Sequence, residues 1–174
     1  CPECEKEYHD PLNRRHFSQT NSCPDCTIPI RLVDNKGKEL TQDWNEALSI
    51  VLKSLVTGET IAVKGIGGYL LMTDATNQSA IKKLRKSKHR PSKPLALMYP
   101  DLETLQKDAV LTQSEADAFQ SIQSPVVLVK VKTKLESGIC LNEIAPGLQQ
   151  IGAMRPYAGM FELLLKKWGK PIIA

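Results

Sequence analysis

The stretch Thr60-Ile-Ala-Val-Lys-Gly-Ile-Gly-Gly-Tyr-Leu-Leu-Met-Thr-Asp74 decides the reading of the fold. Thr60–Val63 is a short apolar run rich in β-branched residues, and Tyr69–Met72 is a second, so both read as strands. Between them stand Lys64, Gly65, Ile66, Gly67 and Gly68. Glycines permit backbone conformations and a close approach that side chains block. Two readings fit the loop: one built to approach a phosphate, and a plain hairpin turn. The Gly-Lys-Ser/Thr ending of a P-loop and the third spaced glycine of a dinucleotide fingerprint are both absent. The pattern alone does not choose.

Outward from this stretch, strands and helices continue in irregular alternation. Asp74 is expected to cap a helix over Asn77–Lys86 that turns Ala80, Ile81 and Leu84 inward. Leu95–Met98 reads as a strand, and Pro100-Asp101 opens another helix. Thr112-Gln-Ser-Glu115 has the form of a capping box for a helix to about Gln120. Ser124-Pro125 leads into the strand Val126–Val131. Residues 133–150 read as a loop, Phe161–Trp168 as a helix stopped by Gly169, and Pro171–Ala174 as the beginning of one more strand. Upstream, Thr41 or Asp43 caps a helix carrying Trp44, Ala47, Leu48, Val51, Leu52 and Leu55, ended by Gly58. The expected fold is α/β (α+β): a mixed sheet with flanking helices, truncated at its C-terminal strand.

Lys82 to Lys93 holds seven cations (Lys82, Lys83, Arg85, Lys86, Lys88, Arg90 and Lys93) and no carboxylate. Lys82, Lys83 and Lys86 fall on the predicted helix and read as a solvated face. Lys88, Arg90 and Lys93 lie beyond it, and alternate residues of an extended segment share one side. Three cations on one side suit a triphosphate or an RNA backbone.

The first residues differ in kind. Cys1-x2-Cys4-x18-Cys23-x2-Cys26 has the spacing of a structural zinc site, and four thiolates leave a tetrahedral ion no open position. Residues 1–36 form this zone. Asp34-Asn35-Lys36-Gly37 is a turn that either closes a short hairpin or acts as a linker. Five cysteines, four of them in two close pairs, argue against a disulfide framework and for a reducing compartment, expected to be the cytoplasm.

Of the 174 residues, 41% are hydrophobic and 24% charged, the balance of a globular protein rather than a disordered one. No apolar run approaches the ~20 residues that cross a bilayer, so no membrane partner is expected. The net charge of +4 does not by itself call for nucleic acid. His9, His16 and His89 read as surface or loop groups, and Cys140 as a lone loop thiol. No nucleophile–base pair stands out, so any chemistry would rest on orienting substrates and on charge stabilisation by Lys and Arg.

Taken together, the motifs resemble one family. Cys1-Pro-Glu-Cys-Glu-Lys-Glu-Tyr-His-Asp-Pro-Leu-Asn-Arg-Arg-His-Phe17, with Cys23-Pro-Asp-Cys26, is similar to the second zinc knuckle of the HypF-type carbamoyltransferases of hydrogenase maturation. Lys64-Gly-Ile-Gly-Gly-Tyr69, Asp74-Ala-Thr-Asn77, Leu84-Arg-Lys-Ser-Lys-His-Arg-Pro-Ser-Lys-Pro-Leu-Ala-Leu-Met98, Ser124-Pro-Val-Val-Leu128, Ala145-Pro-Gly-Leu148 and Ile151-Gly-Ala-Met154 resemble the YrdC-like domain of that family, in family order.

The resemblance implies a Cys4 finger at 1–36, with zinc on Cys1, Cys4, Cys23 and Cys26. It implies an incomplete YrdC-like nucleotide- and carbamoyl-binding domain at 41–174, so that the chain would be a fragment impaired by itself. The implied reaction joins carbamate, derived from carbamoyl phosphate, to ATP with magnesium. The carbamoyl-adenylate so formed passes its carbamoyl group to HypE for cyanide-ligand synthesis. Lys64, Gly65, Gly67, Gly68, Lys88, Arg90, Lys93 and Ser124 would bind the nucleotide, with Lys64 and Arg90 catalytic.

Two departures stand out. Thr27 replaces a family glycine, and Met154-Arg-Pro-Tyr-Ala-Gly-Met-Phe161 replaces Met-Leu-Pro-Tyr-Thr-Pro-Leu-His. Arg155 resembles the related threonylcarbamoyl-AMP synthases of tRNA modification, an alternative that lacks the finger. A double-stranded RNA-binding module is the other alternative, with Tyr99 as the one aromatic close to the cations.

Overall fold

The computed structural model describes residues 1–21, 23–26 and 28–174, which fall into two units, Cys1–Ala47 and Leu48–Ala174. In the first unit, α1 (Pro2–His9) is a helix that the cysteine spacing did not announce. Pro2 sits in its first turn, where a missing N–H costs nothing, and Glu3 and Glu5 favour the positive helix end. Residues Leu32–Val33 (β1) and Glu39–Thr41 (β2) pair antiparallel, so Asp34–Gly37 closes a hairpin. The Asp34 carboxylate accepts from the Lys36 and Lys38 amides, and Gly37 takes the positive φ of 82° that a side chain would resist. Helix α2 (Trp44–Val56) begins where Asp43 accepts from the Glu46 amide, and it crosses the boundary between the units.

The second unit is built on a seven-stranded sheet. Its strands are β3 (Ile61–Lys64), β4 (Tyr69–Asp74), β5 (Ala96–Met98), β6 (Ala109–Val110), β7 (Val127–Val131), β8 (Gln150–Met154) and β9 (Ile172–Ile173), in the order β3-β4-β9-β5-β8-β7-β6. The pair β5–β8 is parallel and every other neighbouring pair is antiparallel, the mixed sheet that the irregular alternation predicts. The last strand in sequence therefore lies in the middle of the sheet. Helices α3 (Gln78–Ser87), α4 (Leu102–Asp108), α5 (Gln113–Gln120), α6 (Leu141–Ile144) and α7 (Gly159–Trp168) complete the unit. Ile81, Leu84, Leu105, Phe119 and Ile144 from the first four helices share one core with Leu97, Val129, Ile151, Ala153 and Ile173 of the sheet.

Several expectations are corrected. The cap of α3 is Asn77, whose side chain accepts from the Ala80 amide, while Asp74 accepts from the amide and hydroxyl of Thr76. The region 133–150, read as a loop, contains α6 and leads into β8, a strand not anticipated at all. Gly152 hides β8 from pattern reading, because glycine weakens a strand signal. Its reason is steric: a Cβ there would lie 2.9 Å from Val126 Cγ1. Strand β6 is likewise too short to have shown a pattern.

Asp108 holds the remaining loop to the sheet. It is fully buried and accepts from the Tyr99 hydroxyl at 3.0 Å, from the Ser137 amide at 3.0 Å and from the Ser137 hydroxyl. Burial first, and the Asp108 charge second, push the Tyr99 phenol far above its ordinary range, so it stays a donor. We expect Asp108→Ala to cost about 2–4 kcal/mol, since it strands buried donors. A thermal melt unchanged from wild type would contradict this role.

Candidate functional site

Cys1 is the N-cap of α1 and Cys4 lies three residues on, so the two thiols share a face. Cys23 and Cys26 approach from the following loop. The Sγ atoms of Cys1 and Cys23 are 3.5 Å apart, those of Cys4 and Cys26 3.4 Å, and those of Cys23 and Cys26 3.6 Å. All four sulfurs lie within 4.8 Å of one another. A tetrahedron of sulfurs about 2.3 Å from zinc has edges of about 3.8 Å, so this cluster fits the ion. The hydrogen bond to Cys26 and burial push the Cys4 thiol up to about 11, a sign that a coordinating cation reverses. The Asn21 side-chain amide donates to the Cys4 carbonyl, and Arg15 pairs with Glu7 at 2.7 Å, which fixes the helix against its loop. Thr27 lies outside the described residues.

In the larger unit, the glycine loop joins β3 to β4 as a hairpin closed by the Gly65 amide on the Gly68 carbonyl at 2.7 Å. A Cβ at Gly65 would meet the Tyr157 hydroxyl at 2.9 Å and Phe161 at 3.5 Å, whereas Gly67 and Gly68 face open space. The hairpin tip is thus seated on the segment that follows β8. Lys64 ends β3, exposed, with its ammonium 5.2 Å from the Tyr69 ring centroid.

The basic segment departs from the extended form that alternation assumed. Lys88 keeps helical geometry as the C-cap of α3, and His89 turns left-handed at φ 48°. What organises the segment is Arg85, 7% exposed. Its guanidinium donates to the carbonyls of Arg90, Pro91 and Lys93 on one side and of Glu143 and Ile144 on the other. Lys88 and Arg90 are half-buried beside it. Burial first and the Arg90 charge second lower both Arg85 and Lys88. Arg90 donates to the Pro94 carbonyl at 2.7 Å, and its Nε is buried with no hydrogen-bond partner among the described residues. Lys93 is exposed.

By its place in the run Lys82–Lys93, Arg85 reads only as one more cation. A signal for it existed, since residue 85 is four on from Ile81 and so falls on the buried stripe of α3.

Ser124 has a positive φ of 44° just before β7. In sheet order β4, β9, β5 and β8 stand between β3, which ends in Lys64, and β7, which Ser124 precedes. No hydrogen bond among the described residues links Lys64, the 88–93 segment and Ser124 to one another. Arg155 donates to the Gln120 carbonyl at 3.1 Å and faces Glu162 at 3.9 Å. Cys140 is half-buried and donates to the Thr76 carbonyl. No helix among the described residues is long and apolar enough to cross a membrane.

Comparison with known proteins identifies the family. Residues 53–174 match the Sua5/YciO/YrdC family model, described as "Telomere recombination", and residues 1–33 match the HypF finger. The carbamoyltransferase HypF of Rhodobacter capsulatus is 36% identical over 99% of this chain and 22% of its own length. That of Synechocystis is 40% identical over 80% of this chain and 18% of its own length. The chain thus spans about a fifth of the length of the curated relatives it matches.

Two solved structures cover 99% of this chain and 22% of their own. They are full-length HypF in the phosphate- and nucleotide-bound form (34% identity, TM-score 0.81) and HypF of T. kodakarensis (32% identity, TM-score 0.84). Sua5 of P. abyssi complexed with L-threonine shares the fold at 19% identity and a TM-score of 0.63, over 77% of this chain and 39% of its own. Finger, mixed sheet and matches converge: the chain belongs to the Sua5/YciO/YrdC family and is of the HypF type, a HypF finger joined to a YrdC-like domain.

Proposed function

We propose that this chain is the zinc finger (residues 1–36) and the ATP-using domain (residues 41–174) of a cytoplasmic carbamoyltransferase. In the proposed reaction a carbamate oxygen attacks the α-phosphorus of magnesium-ATP and pyrophosphate leaves, giving carbamoyl-adenylate. Elsewhere in the whole protein, carbamoyl phosphate supplies the carbamate. The C-terminal cysteine thiolate of HypE then takes the carbamoyl carbon, with AMP as leaving group, toward the cyanide ligand of a nickel–iron hydrogenase.

The observation that carries this reading is the pair Lys88 and Arg90. Both are half-buried, neither is paired with a carboxylate among the described residues, and burial first and the Arg90 charge second disfavour the Lys88 ammonium. Such an arrangement is costly by itself and favourable around a bound polyanion. A relative of this chain solved with phosphate and nucleotide supports the same ligand class.

In this reading Lys88, Arg90 and Lys93 hold the phosphates. Gly67 and Gly68, with open space where side chains would stand, admit the substrate close to the backbone, and Gly65 lets the loop sit on Tyr157. Lys64, at the entrance of that loop, and Arg90 stabilise charge on the departing pyrophosphate. The Ser124 hydroxyl offers a further contact. On the finger, Cys1, Cys4, Cys23 and Cys26 would hold zinc, which supplies folding energy and takes no part in the reaction. The tRNA-modification alternative draws on Arg155, but that guanidinium is engaged by Gln120 and Glu162.

Calorimetric titration of the chain with magnesium-ATP tests the reading. Saturable one-to-one binding is expected. Failure to bind ATP, alongside salt-steep binding of double-stranded RNA, would replace it with the RNA-binding reading.

A further inference from the structure

Arg85 gives its guanidinium to five backbone carbonyls and, among the described residues, makes no hydrogen bond or ion pair with a carboxylate. Three of those carbonyls, of Arg90, Pro91 and Lys93, belong to the segment that carries the cations Arg90 and Lys93. The other two, of Glu143 and Ile144, belong to α6 and come from 58 and 59 residues away in sequence. One side chain therefore ties the basic segment to α6, and nothing weaker than a planar five-donor fork spans so many acceptors. The Arg90 carbonyl is held by Arg85 while the Arg90 guanidinium donates to the Pro94 carbonyl, and Lys88 stands half-buried at the C-cap of α3. Chain reversal at His89, with its φ of 48°, is held by the amides of His89 on the Lys86 carbonyl and of Arg90 on the Arg85 carbonyl.

We infer that Arg85 is the positioning residue of the anion site: it acts through Arg90 and Lys88, fixing their backbone before ligand arrives, and does not touch the ligand itself. The inference rests on the nucleotide reading for its ligand, but its structural half stands apart from it. The buried charge of Arg85 is partly offset by Glu143, whose carboxylate also accepts from Gln78 and faces Lys82.

The test uses the whole chain with Arg85→Met, Arg85→Lys, Arg90→Ala and the double variant Arg85→Met/Arg90→Ala. Magnesium-ATP binding and hydrogen exchange at the amides of residues 89 and 90 are read together. Arg85→Met is expected to weaken binding about tenfold, and in the Arg90→Ala background its further effect is expected to shrink below about twofold, since the two act as one unit.

Exchange at residues 89 and 90 is expected to quicken while the amides within α3 keep their protection. Arg85→Lys, which retains charge but not the fork, is expected to follow Arg85→Met. It also serves if the methionine variant does not fold. Full recovery by lysine, or an equal loss of affinity with and without Arg90, would overturn the inference. If wild type binds no ATP, the nucleotide reading fails. Unchanged exchange at residues 89 and 90 in Arg85→Met or Arg85→Lys would then overturn the positioning role by itself.

Discussion

Chelation of zinc is expected to unfold the first unit while the second melts near its metal-loaded temperature. The reason is the scarcity of core in the finger. Among the described residues before Ala47, Cys4 is the one buried apolar side chain. Tyr8 and Phe17 make an edge-to-face contact at 5.1 Å, but Phe17 is 62% exposed. A contact of that kind adds only about 0.5–1.5 kcal/mol. Zinc held by four thiolates supplies about 10–16 kcal/mol in finger peptides, so the ion decides whether this unit is folded.

The larger unit keeps its own core of Ile81, Leu97, Tyr99, Leu105, Phe119 and Ile151, none of which depends on the metal. The check is a zinc assay giving one ion per chain, with hydrogen exchange followed on both units before and after chelation. A single transition lost together with the metal would show that the two units fold as one. Cys4→Ser is expected to reproduce the chelated state, because a hydroxyl does not replace a thiolate on zinc.

For the proposed reaction, Lys64→Ala in the whole protein is expected to lower carbamoyl-phosphate-dependent ATP–pyrophosphate exchange by at least about a hundredfold, as the loss of one preorganised charge on a developing anion commonly does. Lys64 ends β3 at the glycine hairpin, exposed and without an ion pair among the described residues, so its charge is available to a ligand. Its removal leaves the hairpin intact, since Gly65 and Gly68 close it through the backbone. Folding and catalysis are therefore separable in this variant. Wild-type exchange in Lys64→Ala would remove it from the site. Retained ATP binding with lost exchange would place its role in the transition state rather than in the ground state.

Legibility followed the range of the interactions. Elements built from neighbours could be read: the capping box at Thr112 and Glu115, the Asp101 cap of α4 and the left-handed Gly169 that ends α7. These depend on residues within a few positions of each other. The helix at Pro2–His9 was hidden by the very cysteines that made the finger recognisable, because their spacing suits a turn and a helix equally well. Strand β8 was hidden because its burial, and the closeness of Val126 to Gly152, come from chain segments far apart in sequence.

By itself, the sequence determined the cysteine quartet, the family, the mixed α/β class and which cations were candidates for the site, since all of these reside in residue type and spacing. Only the tertiary structure decided that the glycine loop is a hairpin seated on Tyr157, that the final strand lies mid-sheet, and that Arg85 faces inward to shape the basic turn. The physical reason is that a buried guanidinium is tolerated only where its donors are satisfied. The carbonyls that satisfy Arg85 come partly from α6, a partner no local pattern could name.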